Sequence, residues 1–218
     1  MKIKDVEIKW LGHSGFLISN GKKIFIDPYN IQTSEKADLI LITHSHYDHC
    51  SLQDLEKIIK PGTVVVVPAD CQSKITRLKD VEMQIIEPGD SMNVQGIKIQ
   101  AVPSYNFDKD FHSKNEGWLG YVLIFNDVII YHAGDTDLIP EMQNLTGHGK
   151  TENFIAFLPV GGKYTMTAEQ AASAAEKIKP SLAIPMHYGS VAGSMEDADR
   201  FVMLCKEKGI NAVRMEKG

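Results

Sequence analysis

Three imidazoles and a carboxylate fall within six positions of the run Thr43-His44-Ser45-His46-Tyr47-Asp48-His49-Cys50. Neutral imidazole and ionised carboxylate are the ligands that Zn²⁺ and the related divalent cations take up, so the run reads as a metal-binding loop. Two histidines two apart, His44 and His46, can turn toward one ion while Asp48 and His49 face a second. The chain has eight histidines in 218 residues, and three of them beside an Asp in one short loop is not the pattern of an ordinary polar turn. Cysteine offers no comparable site. Cys50, Cys71 and Cys205 lack metal-type spacing, and their odd number argues against a disulfide framework and for a reducing compartment.

The elements around this loop predict how it is held. Leu39-Ile40-Leu41-Ile42 reads as a short buried strand, which places the histidines on the loop leaving its carboxyl end. Residues 8–10, 16–18 and 23–26 read as strands of a meander, with Asn20-Gly21 as the tight turn. The third of these ends in Asp27-Pro28, so Asp27 also stands at a strand terminus, as a ligand, a support for a histidine tautomer or a plain turn residue. A capping box, Ser51-Leu52-Gln53-Asp54, opens a helix to about Lys60. Strands are expected at 63–67, 97–102, 119–125, 128–131, 154–158, 182–184 and 211–214, with helices following Thr167 and Ser194. The order of elements repeats weakly, Asp27 matching Asp135, the histidine loop matching Gly161-Gly162, and Val67-Pro68 matching Ile184-Pro185. Asp27, the loop, Asp135 and His187 are thereby expected at one edge.

The apolar fraction of 43% fills a sizeable core, no linker divides the chain, and one domain over 1–218 is expected. A formal charge of −5 argues against a nucleic-acid surface, and no apolar stretch reaches the roughly 18 residues of a membrane span. A cytoplasmic protein acting on a small molecule is expected. An anionic substrate stays open, because bound cations reverse the local field. The oligomeric state is not legible.

His-x-His-x-Asp-His after a strand, with a strand-end Asp before it and a separate Asp and late His after it, resembles the metallo-β-lactamase-fold hydrolase superfamily. Trp10-Leu11-Gly12-His13-Ser14, Ala133-Gly134-Asp135-Thr136, Pro159-Val160-Gly161-Gly162 and Pro185-Met186-His187-Tyr188 are similar to the branch containing ascorbate-6-phosphate lactonase. The resemblance implies an α/β fold, an αβ/βα four-layer sandwich of two mixed sheets with helices outside. It implies two divalent metal ions, zinc by default with manganese or iron as alternatives. His44 and His46 would bind the first, Asp48, His49 and His187 the second, and Asp135 would bridge, with Asp27 as outer support.

One departure stands out. The superfamily supplies a third histidine to the first metal where this chain has Tyr105. Either His112, seven residues on, folds back into the vacancy, or Tyr105 turns away and one well-held ion remains. His13 lines the pocket or is a structural histidine, and His132 reads as a satisfied core residue. The implied reaction is attack by a metal-bound hydroxide on a small ester, lactone or phosphoester, with Asp48 handling the proton. The alternatives are a metal-dependent binding module with a degenerate first site, or a phosphodiesterase or nuclease of the same fold.

Overall fold

The computed structural model describes residues 1–150 and 153–218. One sheet contains β1 (Lys2–Ile3), β2 (Val6–Gly12), β3 (Gly15–Ser19), β4 (Lys23–Ile26), β5 (Leu39–Leu41), β6 (Thr63–Val67) and β7 (Val81–Ile85) in chain order. Helices α1 (Leu52–Ile58) and α2 (Gln72–Ile75) lie in its crossovers. The second sheet begins with β8 (Ser91–Val94), β9 (Ile97–Pro103), β10 (Leu119–Ile124) and β11 (Ile129–His132), and continues through β12 (Phe154–Pro159) and β13 (Leu182–Met186). Here the helices are α3 (Ala168–Ile178) and α4 (Met195–Glu207), which pack on β12 and β13.

The period-2 pattern of the strands sorts side chains between layers. Phe16, Ile18, Ile24, Ile26, Leu39, Leu41, Val64 and Val66 face the second sheet. Their neighbours Leu17, Phe25, Ile40, Val65 and Val67 lie beneath α1 with Leu55 and Ile58. Phe16 of β3 stacks on Phe157 of β12 at 3.9 Å between ring centroids, closing the seam between sheets. The result is two mixed sheets face to face with helices outside, as the resemblance implies.

Both sheets use the same pairing plan. β2, β3 and β4 are antiparallel, then β4, β5, β6 and β7 run parallel. Likewise β9, β10 and β11 are antiparallel, then β11, β12 and β13 run parallel. Parallel neighbours end on the same side, so the loops after β4, β5, β11, β12 and β13 gather at one rim. The caps read from sequence are present. Ser51 accepts from the Asp54 N–H, and Thr167/Gln170 and Ser194/Asp197 form reciprocal capping boxes.

Three expectations change. Helix α1 stops at Ile58, a turn's fraction short of Lys60. Of the Asn20-Gly21 pair only Gly21 is left-handed, in a three-residue loop closed by the Ser19–Lys23 pair. Residues 211–214 form no strand ladder. They make a single bridge, Ala212 to Ala183, and the chain then crosses to Trp10 of β2, where Lys217 bridges and the Gly218 N–H donates to the Trp10 carbonyl. A segment that passes from one sheet to the other cannot run along either.

Candidate metal centre

The site is built from the outside in, beginning with Asp27 just beyond β4. This carboxylate is fully buried. Its Oδ1 accepts from the Thr43 N–H at 2.8 Å, and its Oδ2 accepts from the Thr43 hydroxyl at 2.6 Å and from His49 Nδ1 at 2.7 Å. The Thr43 hydroxyl, having donated to Asp27, accepts from His44 Nδ1 at 2.9 Å. With Nδ1 donating on both rings, Nε2 is the atom that His44 and His49 turn inward. His44 Nε2 lies 3.1 Å from His46 Nδ1.

From the second sheet come Asp135 after β11 and His187 after β13. Asp135 Oδ2 stands 3.0 Å from His187 Nε2, 3.3 Å from His49 Nε2, 3.3 Å from His112 Nε2 and 3.9 Å from His44 Nε2. Gly161, after β12, lets His187 sit this close. A Cβ there would meet the His187 carbonyl at 2.6 Å and its Nδ1 at 2.9 Å.

His112 reaches the cluster because its loop is tied at both ends. The Asn106 N–H donates to the His112 carbonyl at 2.7 Å, and the Asn106 amide donates to the carbonyls of Phe111 and Tyr164. Asp137 accepts from the Phe107 N–H and from Lys109. His112 Nδ1 donates to the Tyr164 carbonyl at 3.1 Å, which again leaves Nε2 as the inward atom. Tyr105 does not join them. Its hydroxyl donates to Glu141 at 2.9 Å and accepts from Lys114 at 3.3 Å, away from the cluster. Its backbone is pinned the other way, against the Thr136 hydroxyl. Both movements expected at Tyr105 are present: its side chain turns away, and His112 folds back to the cluster.

His13 occupies the two-residue turn between β2 and β3. Its Nε2 donates to Asp48 Oδ2 at 2.9 Å, and its Nδ1 accepts from the Ser190 hydroxyl at 3.1 Å. It therefore aims the Asp48 carboxylate. His132 is a satisfied core residue, bonded to the Ser14 carbonyl and accepting from the Gly134 N–H. Among the described non-glycine residues nine have positive φ, and four of these are His13, Asp27, His112 and His187. Backbone strain is thus concentrated where the side chains converge.

Protonation follows from burial and neighbours. Burial pushes His13 down to about 4 and His44 well below its usual value, and lowers His46 as well, so these rings are neutral at pH 7. Burial would raise Asp48, but the His13 hydrogen bond and the His49 charge outweigh it and hold the carboxyl near 2. Burial also opposes the shifts of the central pair. The charges of His187 and His49 nevertheless keep Asp135 ionised, and the Asp135 and Asp27 carboxylates hold His49 protonated when no cation is present.

Three donor groups result: His44, His46 and His112; His44, His49 and Asp135; and His13, Asp48, His49 and His187, each with candidate ligand atoms within 4.8 Å of one another. Among the described residues eight buried side-chain polar atoms lack a partner, and four belong here: His49 Nε2, His112 Nε2, Asp135 Oδ1 and His187 Nδ1. Buried polar atoms without partners are costly, and two of these, His49 Nε2 and His112 Nε2, face Asp135 Oδ2 at 3.3 Å, where imidazole nitrogens beside an ionised carboxylate fit divalent cations that displace the His49 proton. Nothing in the sequence marks Thr43 as a connector or Ser190 as a partner of His13. Nor does it flag Trp118, whose indole lies 4.7 Å from His44, 4.8 Å from His46 and 5.3 Å from His112.

Comparison with known proteins agrees with this fold. The family model of the beta-lactamase superfamily domain matches residues 7–187. A UPF0173 metal-dependent hydrolase of Pyrococcus horikoshii is 35% identical over 215 residues, covering 93% of each chain. A solved structure from Parabacteroides distasonis, assigned as a metal-dependent hydrolase, has a TM-score of 0.83 at 30% identity, over 98% of this chain and 94% of that one. A metallo-beta-lactamase fold protein of Bacillus subtilis, 12% identical, has a TM-score of 0.75 over 98% of this chain and 97% of its own, a likeness of fold. A domain match over most of the chain, and a relative alike nearly end to end, place this protein in the beta-lactamase superfamily, among the UPF0173 metal-dependent hydrolases.

Proposed function

We propose that this protein hydrolyses a small ester, lactone or phosphoester with two divalent cations, zinc by default and manganese or iron as alternatives. The observation that carries the reading is the convergence of four imidazoles on Asp135 Oδ2, with buried ring nitrogens that no protein donor meets. His44, His46 and His112 would hold the first ion and Asp48, His49 and His187 the second, with Asp135 between them. A cation pair in such a site acidifies a water to neutral pH and neutralises charge developing on the attacked group. Asp48, ionised and aimed by His13, is the carboxylate placed to accept the proton of the attacking water. Asp27 and Thr43 keep His44 and His49 in the tautomer whose Nε2 is free. The lactone option rests on the resemblance of the motifs at 10–14, 133–136, 159–162 and 185–188 to the lactonase branch.

A binding module drew its support from Tyr105 in a ligand's place, and His112 in the cluster removes that support. A nuclease is disfavoured by the net charge of −5, since a phosphate backbone calls for concentrated Lys and Arg. The first test is metal content per chain, for wild type and His112→Ala, after titration with Zn²⁺ or Mn²⁺. Two ions in wild type and one in the variant are expected. Equal content in both removes His112 from the site, and one ion or none in wild type overturns the two-cation reading.

A further inference from the structure

The pocket over the cluster has two kinds of wall. Its floor is polar, made of His46, Asp48, His112, Asp135 and His187, while Tyr47, Phe111, Tyr164 and Val191 form its sides, around about 180 Å³. Tyr47 is 62% exposed and Phe111 48%, so these rings stand at the mouth with faces free for a ligand. Each is braced edge-on by another aromatic ring. Tyr29 lies 5.8 Å from Tyr47, and Tyr164 lies 5.1 Å from Phe111.

Among the described residues, no Lys or Arg lines this pocket. The lysines that could approach it are committed elsewhere, Lys114 to Glu141 among them. Lys74 donates to the Ser45 carbonyl and Lys109 to Asp137, while Lys163 lies over the Tyr164 ring at 4.9 Å without lining the cavity. A phosphomonoester brings about two negative charges, which a cation pair could meet but which no cationic side chain of this pocket helps to balance. A polar floor with aromatic sides instead suits a ligand with one polar reacting group and an apolar remainder.

We infer that the substrate is an uncharged ester or lactone carrying an apolar chain or ring, which packs between Tyr47 and Phe111 while the scissile carbonyl sits on the histidine floor. This rests on the hydrolase reading above. Water adds to the carbonyl carbon, the carbon–oxygen bond to the alcohol breaks, and the proton from water ends on the alcohol oxygen, giving a carboxylic acid and an alcohol.

The test uses Zn²⁺- or Mn²⁺-loaded protein with phenyl acetate, butyrate and hexanoate, an alkyl acetate series, lactones with and without an alkyl tail, and phenyl phosphate. In at least one of the ester series kcat/KM should rise with chain length, by about tenfold overall, as added methylenes do in an apolar pocket. Phenyl phosphate should be the poorest substrate. Tyr47→Ala and Phe111→Ala should abolish the length dependence and leave metal content unchanged. Both residues are exposed, so folding is spared. Flat rates across every series, or phenyl phosphate as the best substrate, overturn the inference. A second readout needs no turnover, namely quenching by hexanoate and by inorganic phosphate of the tryptophan fluorescence to which Trp118, beside His46 and His112, contributes with Trp10. Hexanoate should bind more tightly, and Phe111→Ala should erase the difference. Tighter hexanoate binding without any turnover would refute the hydrolase reading and keep the apolar subsite. Equal or tighter phosphate binding refutes the subsite.

Discussion

Asp27→Asn is the substitution that most sharply tests how the site is assembled. Asn keeps the shape of Asp and tolerates the left-handed backbone here, φ 42°. Its carbonyl must stay where Oδ1 was, to accept the Thr43 N–H at 2.8 Å, because a flipped amide would set two donors against each other. That puts the –NH₂ 2.7 Å from His49 Nδ1. His49 must then accept at Nδ1 and carry its proton on Nε2, the atom 3.3 Å from Asp135. One inward lone pair of the second donor set is lost. Changes to the partner of a ligating histidine typically weaken metal binding about 10–100-fold, or about 1.4–2.7 kcal/mol. Asp27→Ala should instead show mainly as instability. It strands three buried donors at about 1–3 kcal/mol each and leaves Ala in a left-handed conformation. The measurements are Zn²⁺ affinity by competition with a chromophoric chelator, and metal-free thermal unfolding, for wild type and both variants. Asn is expected to lose affinity with a metal-free midpoint within about 5 °C of wild type, whereas Ala should lose about 10 °C or more. Wild-type affinity in a folded Asp27→Asn protein would refute the tautomer argument.

Other perturbations separate support from chemistry. Tyr105→Phe should leave metal content and turnover within about twofold and cost about 1 kcal/mol of stability, the worth of the hydroxyl's bonds to Glu141 and Lys114. Gly161→Ala should displace His187 and lower metal uptake toward one ion, measured by elemental analysis, since the new Cβ falls within 3 Å of two His187 atoms. Asp54 accepts from the N–H groups of Asn30 and Ile31, from Ser51 and from Lys57. Burial pushes its pKa up, but these partners outweigh that and lower it. The stabilisation is therefore complete above its unfolded pKa of about 3.9 and lost as pH falls through the lower folded value. Chemical denaturation of wild type and Asp54→Asn should show a gap of about 1–2 kcal/mol at pH 7 that narrows below about pH 4.

What the sequence revealed and concealed follows from how local each signal is. His44, His46, Asp48 and His49 were legible because their spacing is local, and Asp27, Asp135 and His187 because each lies within three residues of the end of an apolar strand. His112 was only half legible. Its place depends on hydrogen bonds from Asn106 to Tyr164, 58 residues apart, and no spacing within the loop encodes them. His13 pairs with Asp48 and Ser190 across 35 and 177 residues, so its role in aiming a carboxylate had no local mark. Edge strands are harder to read than central ones. β7 is the outermost strand of its sheet and largely exposed, so its Val-Glu-Met-Gln-Ile lacks the apolar run that marked β5. The tail has strand-like residues at 211–214 but is divided between two sheets over 211–218, which composition cannot convey.

Every proposed set of ligands draws on both sheets: the first contributes His44, His46, Asp48 and His49, and the second His112, Asp135 and His187. Cations bound between them would act as rivets, and their binding energy would appear as adhesion between the halves of the chain. At a thousand times its dissociation constant, one ion adds about 4 kcal/mol to folding stability. Pro88-Gly89-Asp90, the exposed turn joining β7 to β8, is the single covalent crossing from the first sheet to the second before the tail returns to Trp10. A chain nicked there should stay joined through the apolar seam and come apart at a lower denaturant concentration in a chelator than in metal. Two fragments made separately, each with its own sheet and half the ligands, should bind one another more tightly when the ion is supplied.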